Sequence, residues 1–121
     1  MSDPAATDPR ARLDAAIAAV RSDVVARQRE VDGIVEAARD SNADDEHDPE
    51  GATIAFEREQ ARAQLDLSRT RLAELDRAVE RLRAGHYGVC ETCRQPIAAD
   101  RLIARPEARQ CVACASRAAG R

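Results

Sequence analysis

GHYGVCETCRQPIAADRLIARPEARQCVAC, residues 85–114, is the stretch on which the fold of this chain turns. Cys90 and Cys93 form one CxxC pair and Cys111 and Cys114 a second, with 17 residues between the pairs. A CxxC turn places two sulfurs on one side of a tight knuckle. Two knuckles complete a tetrahedral all-sulfur shell, the donor set that suits Zn²⁺. The competing reading, a redox dithiol, needs a lowered thiol pKa and βαβ surroundings, and neither is visible around these cysteines. One structural zinc held by Cys90, Cys93, Cys111 and Cys114 is therefore expected. The lobe has only Tyr87, Val89, Ile97, Leu102, Ile103 and Val112 from which to build a core. Structural zinc contributes about 10–16 kcal/mol in small metal domains, so the ion should be the folding nucleus. Four thiolates leave no open position for a catalytic water. His86 is redundant as a ligand and is expected on the surface or beside the shell.

Upstream of the lobe the pattern is helical. Asp8-Pro9 reads as an N-cap followed by proline at the first helical position. From Arg10 to about Asp40, steps of 4 and 3 give Leu13, Ile17, Val20, Val24, Arg27, Val31, Ile34 and Ala38, a coiled-coil seam broken only by Arg27. The aliphatic stem of Arg27 can cover the seam while its head reaches water. Gly33 costs this helix roughly 1 kcal/mol relative to Ala. A second helix, from about Ala52 to Ala84, carries Ile54, Arg58, Ala61, Leu65, Ser68, Leu72, Leu75, Val79 and Leu82 at the same spacing. Gly85 stands where a C-cap belongs. Arg10/Asp14 and Arg62/Asp66 are expected i,i+4 ion pairs. The fold class is mainly α: an antiparallel two-helix coiled-coil hairpin over 10–84, roughly 45 Å long at 1.5 Å per residue. A small four-cysteine zinc-finger lobe with a short C-terminal helix follows over 85–121, and a loose arm over 1–9 precedes the hairpin. The competing architecture, two helices of a compact bundle, lacks a third long helix to complete it.

Composition restricts the function. The chain has 121 residues, 2% of them aromatic (Phe56 and Tyr87) and 34% charged. That is too little large apolar surface for an enzyme with a deep pocket, and no nucleophile–base pair is visible; no enzymatic activity is expected. All 19 basic residues are Arg. Residues 1–83 carry 13 Arg against 19 acids, whereas residues 84–121 carry 6 Arg against 3 acids. The hairpin is thus acidic and the lobe locally basic. The polar start Met1-Ser2-Asp3-Pro4 has no signal-peptide core. The longest apolar run, Ala15 to Val20, is far short of the ~20 residues that span a bilayer. A cytoplasmic chain with no membrane contact and with reduced thiols is expected.

The connection over 41–51, SNADDEHDPEG, holds five acids and no Arg. It is longer than a turn requires. Either it is a probe tip that meets something cationic or metal-bearing, or it is a solvated loop that keeps the tip soluble. His47 reads as a plain exposed side chain. Phe56, off the seam, either packs against Val35 or the loop or stands exposed as an anchor for a partner.

Taken at their spacings, Cys90-Glu91-x-Cys93, Ile97, Arg101, Pro106 and Cys111-x-x-Cys114 resemble the zinc-finger signature of the DksA/TraR family. Gly85-His86-Tyr87-Gly88 and the stretch Arg101 to Pro106 are similar as well, and the hairpin fits in length and order. The resemblance implies a bacterial transcription regulator that binds RNA polymerase rather than making specific DNA contacts. The coiled coil would lie in the secondary channel, with the acidic tip near the catalytic centre and the lobe on the outer rim, modulating initiation. Asp44, Asp45, Asp48, Glu50 and Ala52 are then the tip candidates, and Arg101 and Arg105 the rim candidates; Arg101 could equally pair with Glu91 or Glu107. The family tip, Asp-x-x-Asp-x-Ala, falls on His47, Glu50 and Ala52, or on Asp48, Glu50 and Ala52 with a shift of one residue. For the alarmone ppGpp, Arg105 matches one basic position of the family's rim site, but Glu74 and Ala115 stand where Lys is expected, so tight synergy is not anticipated. Arg94 follows Cys93 where Gly is usual and is expected to strain or reshape the first knuckle. A monomer is expected. The rival reading is a zinc-ribbon DNA-binding protein. It rests on Arg94, Arg101, Arg105 and Arg109, and the acidic hairpin and the lack of a recognition helix stand against it.

Overall fold

The computed structural model describes residues 8–40 and 49–120, with side chains from 51 onward in the second segment. Four helices follow one another: α1 (Pro9–Asp40), α2 (Pro49–Ala84), α3 (Ala99–Ala104) and α4 (Val112–Ala119). The long pair forms the hairpin and the short pair belongs to the lobe. Among the described residues the only β-type pairing is an antiparallel bridge between Val89 and Pro96. No described helix is long and apolar enough to cross a membrane.

The start of α1 is set by Asp8. Its Oδ1 accepts from the backbone N–H of Arg10 at 3.1 Å, and its carbonyl accepts from Arg12 N–H at 3.0 Å, so Pro9 sits where its missing N–H costs nothing. At the far end of α2, Gly85 adopts φ 82°. Its N–H bonds to Leu82 O at 3.2 Å, while His86 N–H reaches back to Arg81 O at 2.8 Å. This is a Schellman stop, which satisfies carbonyls the helix would otherwise leave open. Gly33 remains helical, with open space where a side chain would stand. Helix α2 begins at Pro49, within the segment expected as loop.

The chain divides into two compact units. One comprises Val20–Thr70; the other comprises Met1–Ala19 together with Arg71–Arg121. In the first, Val31, Ala61 and Leu65 are buried together, with Val24, Ile34 and Val35 packed on them. Two of the seam positions that are not apolar, Ser68 and Arg27, have local partners. Ser68 donates its hydroxyl to Asp23 across the helix pair. Arg27 is half-buried and turns to Asp23 (3.5 Å) and Glu30 (3.8 Å). Arg69 donates to Gln28 at 2.6 Å on the same side. Arg10 pairs with Asp14 at 3.0 Å as expected, but Arg62 turns to Glu59 (3.9 Å) rather than to Asp66. An acid one turn N-terminal of a base complements the helix dipole better than the reverse order. Phe56 is exposed, at 62% of its surface.

In the second unit the helix segments bury Leu13, Ile17, Leu75, Ala78 and Val79. The lobe has a separate small core: Cys90, Ile97, Leu102, Ala108 and Cys114, with Tyr87 and Cys111 against it.

Candidate metal centre

Two reversals of the backbone bring the cysteines together. In the first knuckle, Arg94 N–H bonds to Cys90 O and Cys90 N–H to Gln95 O, both at 2.9 Å. The turn closes only with residue 94 in the left-handed region, and Arg94 has φ 66°. A side chain there costs about 1–2 kcal/mol, which is why Gly is favoured at such a position. Gly88, at φ 84°, makes a second tight reversal. A Cβ on it would meet Leu102 Cδ1 at an ordinary 3.4 Å, so it is the backbone angle that calls for Gly. The second knuckle is the entry to α4: Cys111 is its N-cap residue and Cys114 lies in its first turn. Glu91 N–H to Arg109 O (2.9 Å) and Gln110 Nε2 to Thr92 Oγ1 (2.8 Å) fasten the two knuckles side by side.

The four Sγ atoms of Cys90, Cys93, Cys111 and Cys114 all lie within 4.8 Å of one another. Cys93 and Cys111 stand 3.9 Å apart. A tetrahedron with Zn–S bonds of about 2.3 Å has edges of about 3.8 Å, so the sulfur cage fits this ion. The thiols are also prepared for it. Backbone N–H groups of Cys93 and Cys111, with that of Thr92, point at the Cys90 sulfur and hold its pKa down to about 6. The Cys114 N–H does the same for Cys111, whose pKa is lowered. Cys114 is pushed up to about 12, chiefly by the Cys111 thiol beside it and then by burial. Four sulfurs this close cannot all ionise without a cation among them, so zinc binding displaces the last protons. His86 is exposed.

Around the cage the lobe is tied to the neighbouring helix segments. Tyr87 Oη donates to Pro106 O at 2.9 Å; burial raises the Tyr87 pKa, opposed by a hydrogen bond with Arg12. Glu107 is buried. Its carboxylate faces Arg71 Nε at 3.5 Å and Arg105 Nε at 3.9 Å, and its carbonyl accepts from Arg81 at 3.2 Å. Arg101 donates to Gln110 O at 2.8 Å, so its partner is a backbone carbonyl rather than Glu91 or Glu107. Arg81, Arg101, Arg105, Glu107 and Gln110 border a cavity of about 240 Å³ whose lining also includes Arg77, Arg109, Glu74 and Glu91. Of the tip candidates, Asp44, Asp45 and Asp48 lie outside the described residues. Glu50 falls in the first turn of α2, and Ala52 is exposed on the same helix.

The cage and its knuckles define a small C4 zinc-finger protein built on a helical hairpin. Residues 85–118 match the family described as prokaryotic DksA/TraR C4-type zinc finger. The structure is similar to that of transcription factor DksA2 from Pseudomonas aeruginosa, with TM-score 0.57 and 25% identity over 91% of this chain and 84% of that one. General stress protein 16O of Bacillus subtilis (strain 168) is 36% identical over 72 residues, 60% of this chain and 44% of that protein. An uncharacterized protein of Aquifex aeolicus (strain VF5) is 46% identical over 44 residues, 36% of this chain and 30% of that one. The matched segments thus span less than half of the length of both sequence relatives. Residues 85–118 thus carry a zinc finger of the DksA/TraR C4 type, and its four clustered cysteines fit the one structural zinc expected from their spacing.

Proposed function

We propose that this chain is a non-enzymatic transcription regulator that acts by binding RNA polymerase. The observation that carries the reading is the likeness to transcription factor DksA2 over 91% of the chain, which extends from the zinc finger through the hairpin. The hairpin enters the polymerase secondary channel with the 41–51 connection leading. Asp44, Asp45, Asp48, Glu50 and Ala52 are then presented to the catalytic centre, where carboxylates interact strongly with bound Mg²⁺ and basic side chains. The lobe docks at the channel rim, with Arg101 and Arg105 as contacts. Arg101 is already anchored to Gln110 O, so its remaining N–H groups are held in a fixed direction. Arg105 is mostly exposed. Glu74 borders the same cavity as Arg105. A carboxylate there opposes an anionic nucleotide, so tight synergy with ppGpp is not expected.

Co-purification with core RNA polymerase, followed by tip-directed crosslinking, tests the reading. The Asp48→Ala/Glu50→Ala double variant should bind polymerase about as well as the parent and lose regulation of initiation. Normal regulation by the double variant refutes the role of the tip. Failure of the parent chain to bind core polymerase refutes the whole proposal.

A further inference from the structure

We propose that Arg117 is a charge-compensating residue of the zinc centre, its guanidinium covering the Cys114 sulfur and slowing loss of the metal. Helix α4 places Cys114 and Arg117 three residues apart, on one face. Arg117 Nη2 donates to Cys114 Sγ at 3.4 Å, within range for a sulfur acceptor. Cys114 is 4% exposed, so water can do little to stabilise charge on that sulfur.

The need for this contact follows from the uneven supply of donors around the cage. Cys90 has backbone N–H groups from both knuckles, and Cys111 has the N–H of Cys114. Cys114 lies in the first turn of α4, with its own N–H turned to the Cys111 sulfur. The side-chain donor that reaches the Cys114 sulfur is the Arg117 guanidinium. Four thiolates around Zn²⁺ carry a net charge of −2. A guanidinium hydrogen-bonded to one of them is a charge-assisted contact that offsets part of this excess. It also occupies a sulfur lone pair that would otherwise be open to attack from outside. Outer-shell partners of metal ligands typically change metal affinity by 10–100-fold when removed.

The inference concerns retention of the metal and does not depend on what the protein binds. The test uses the full-length, zinc-loaded chain at one fixed pH, as parent, Arg117→Ala, Arg117→Lys and, as a control for loss of a distant positive charge, Arg83→Ala. Two quantities are read: the rate of zinc transfer to a chromogenic chelator, and the energy of the sulfur-to-metal charge-transfer band after replacement of zinc by Co²⁺. Arg117→Ala should release zinc at least about 10-fold faster. Its band should move to lower energy, because the uncovered thiolate is more electron-rich. Arg117→Lys, which keeps the charge without the planar fork, should fall between Arg117→Ala and the parent on both readouts, and Arg83→Ala should match the parent. An Arg117→Ala variant that matches the parent in rate and band overturns the proposal. So does faster release with an unshifted band and lost helical signal, which would make Arg117 a support for α4 alone.

Discussion

Removing the zinc should unfold the lobe and spare the hairpin. The lobe buries two large aliphatic side chains, Ile97 and Leu102. Each contributes about 1.5–3 kcal/mol, whereas fixing the backbone costs about 1–2 kcal/mol for every residue ordered. Two buried side chains are too few to hold the lobe alone, and a structural zinc at about 10–16 kcal/mol contributes several times what they return. The unit Val20–Thr70 has its own buried cluster and contains no sulfur ligand. Tyr87 is the only tyrosine and there is no tryptophan, so ultraviolet fluorescence reports on the lobe alone. Chelation of zinc under reducing conditions should therefore change Tyr87 emission completely as its hydrogen bond to Pro106 O is lost. Circular dichroism should lose only the share of α3 and α4, helices of 6 and 8 residues against 32 and 36 in the hairpin. A native Tyr87 signal after stoichiometric removal of zinc would refute the argument, as would collapse of most of the helical signal along with it.

Arg94→Gly should relieve the left-handed strain of the first knuckle. A non-glycine residue there costs about 1–2 kcal/mol, and the added freedom of glycine in the unfolded chain returns about 0.5–1 kcal/mol. A net gain of about 0.5–1 kcal/mol should appear as zinc binding tighter by about two- to five-fold in a competitive chelator titration. Leu65→Ala removes a side chain that is 4% exposed and should cost about 2–5 kcal/mol in thermal or denaturant unfolding. Leu67→Ala, at a position 70% exposed, should stay within about 0.5 kcal/mol of the parent. The tyrosinate absorbance of Tyr87 should rise with a midpoint above its ordinary value of 10.0 in the folded protein and near it after unfolding. Because the folded-state pKa is the higher one, this hydroxyl's contribution to stability is complete below the unfolded pKa. It is lost as pH rises through the folded pKa, a loss that Tyr87→Phe should abolish.

Much of this architecture was legible because a few residues carry unambiguous physics. Two CxxC pairs on a small, core-poor segment leave metal as the economical reading, and the sulfur cage follows. A glycine at the end of a long apolar seam stops the helix, as Gly85 does. Asp8-Pro9 starts one. The αL position of Arg94 was readable only against the family pattern, in which glycine occupies that place. What could not be read depends on which side chains meet across space. Ser68 and Arg27 break the periodicity of their own helices; Asp23 lies four residues from Arg27 on the same helix, but only the register of the hairpin brings Ser68 to it. The choice of Glu59 over Asp66 by Arg62 is a contest between two acids one turn away on either side, and spacing alone does not rank them. Glu107 looks like any surface acid. It becomes a buried tie because Arg71 and Arg81 reach it from α2, beside its own neighbour Arg105. Arg117 carries no motif at all, and its place beside Cys114 emerges only once α4 is wound.

One consequence of the buried alanine in the hairpin concerns girth. Ala61 stands in the seam beside Val31 and Leu65. Packed helices lie 8–10 Å apart according to the bulk of the residues at their contact. A methyl group at this level allows the tight end of that range, so the hairpin can be slimmest there. Enlarging the residue, as in Ala61→Leu, would thicken the pair locally while adding apolar contact. Any socket that takes the hairpin lengthwise would register that bulge as a steric stop, even though the isolated chain stayed folded.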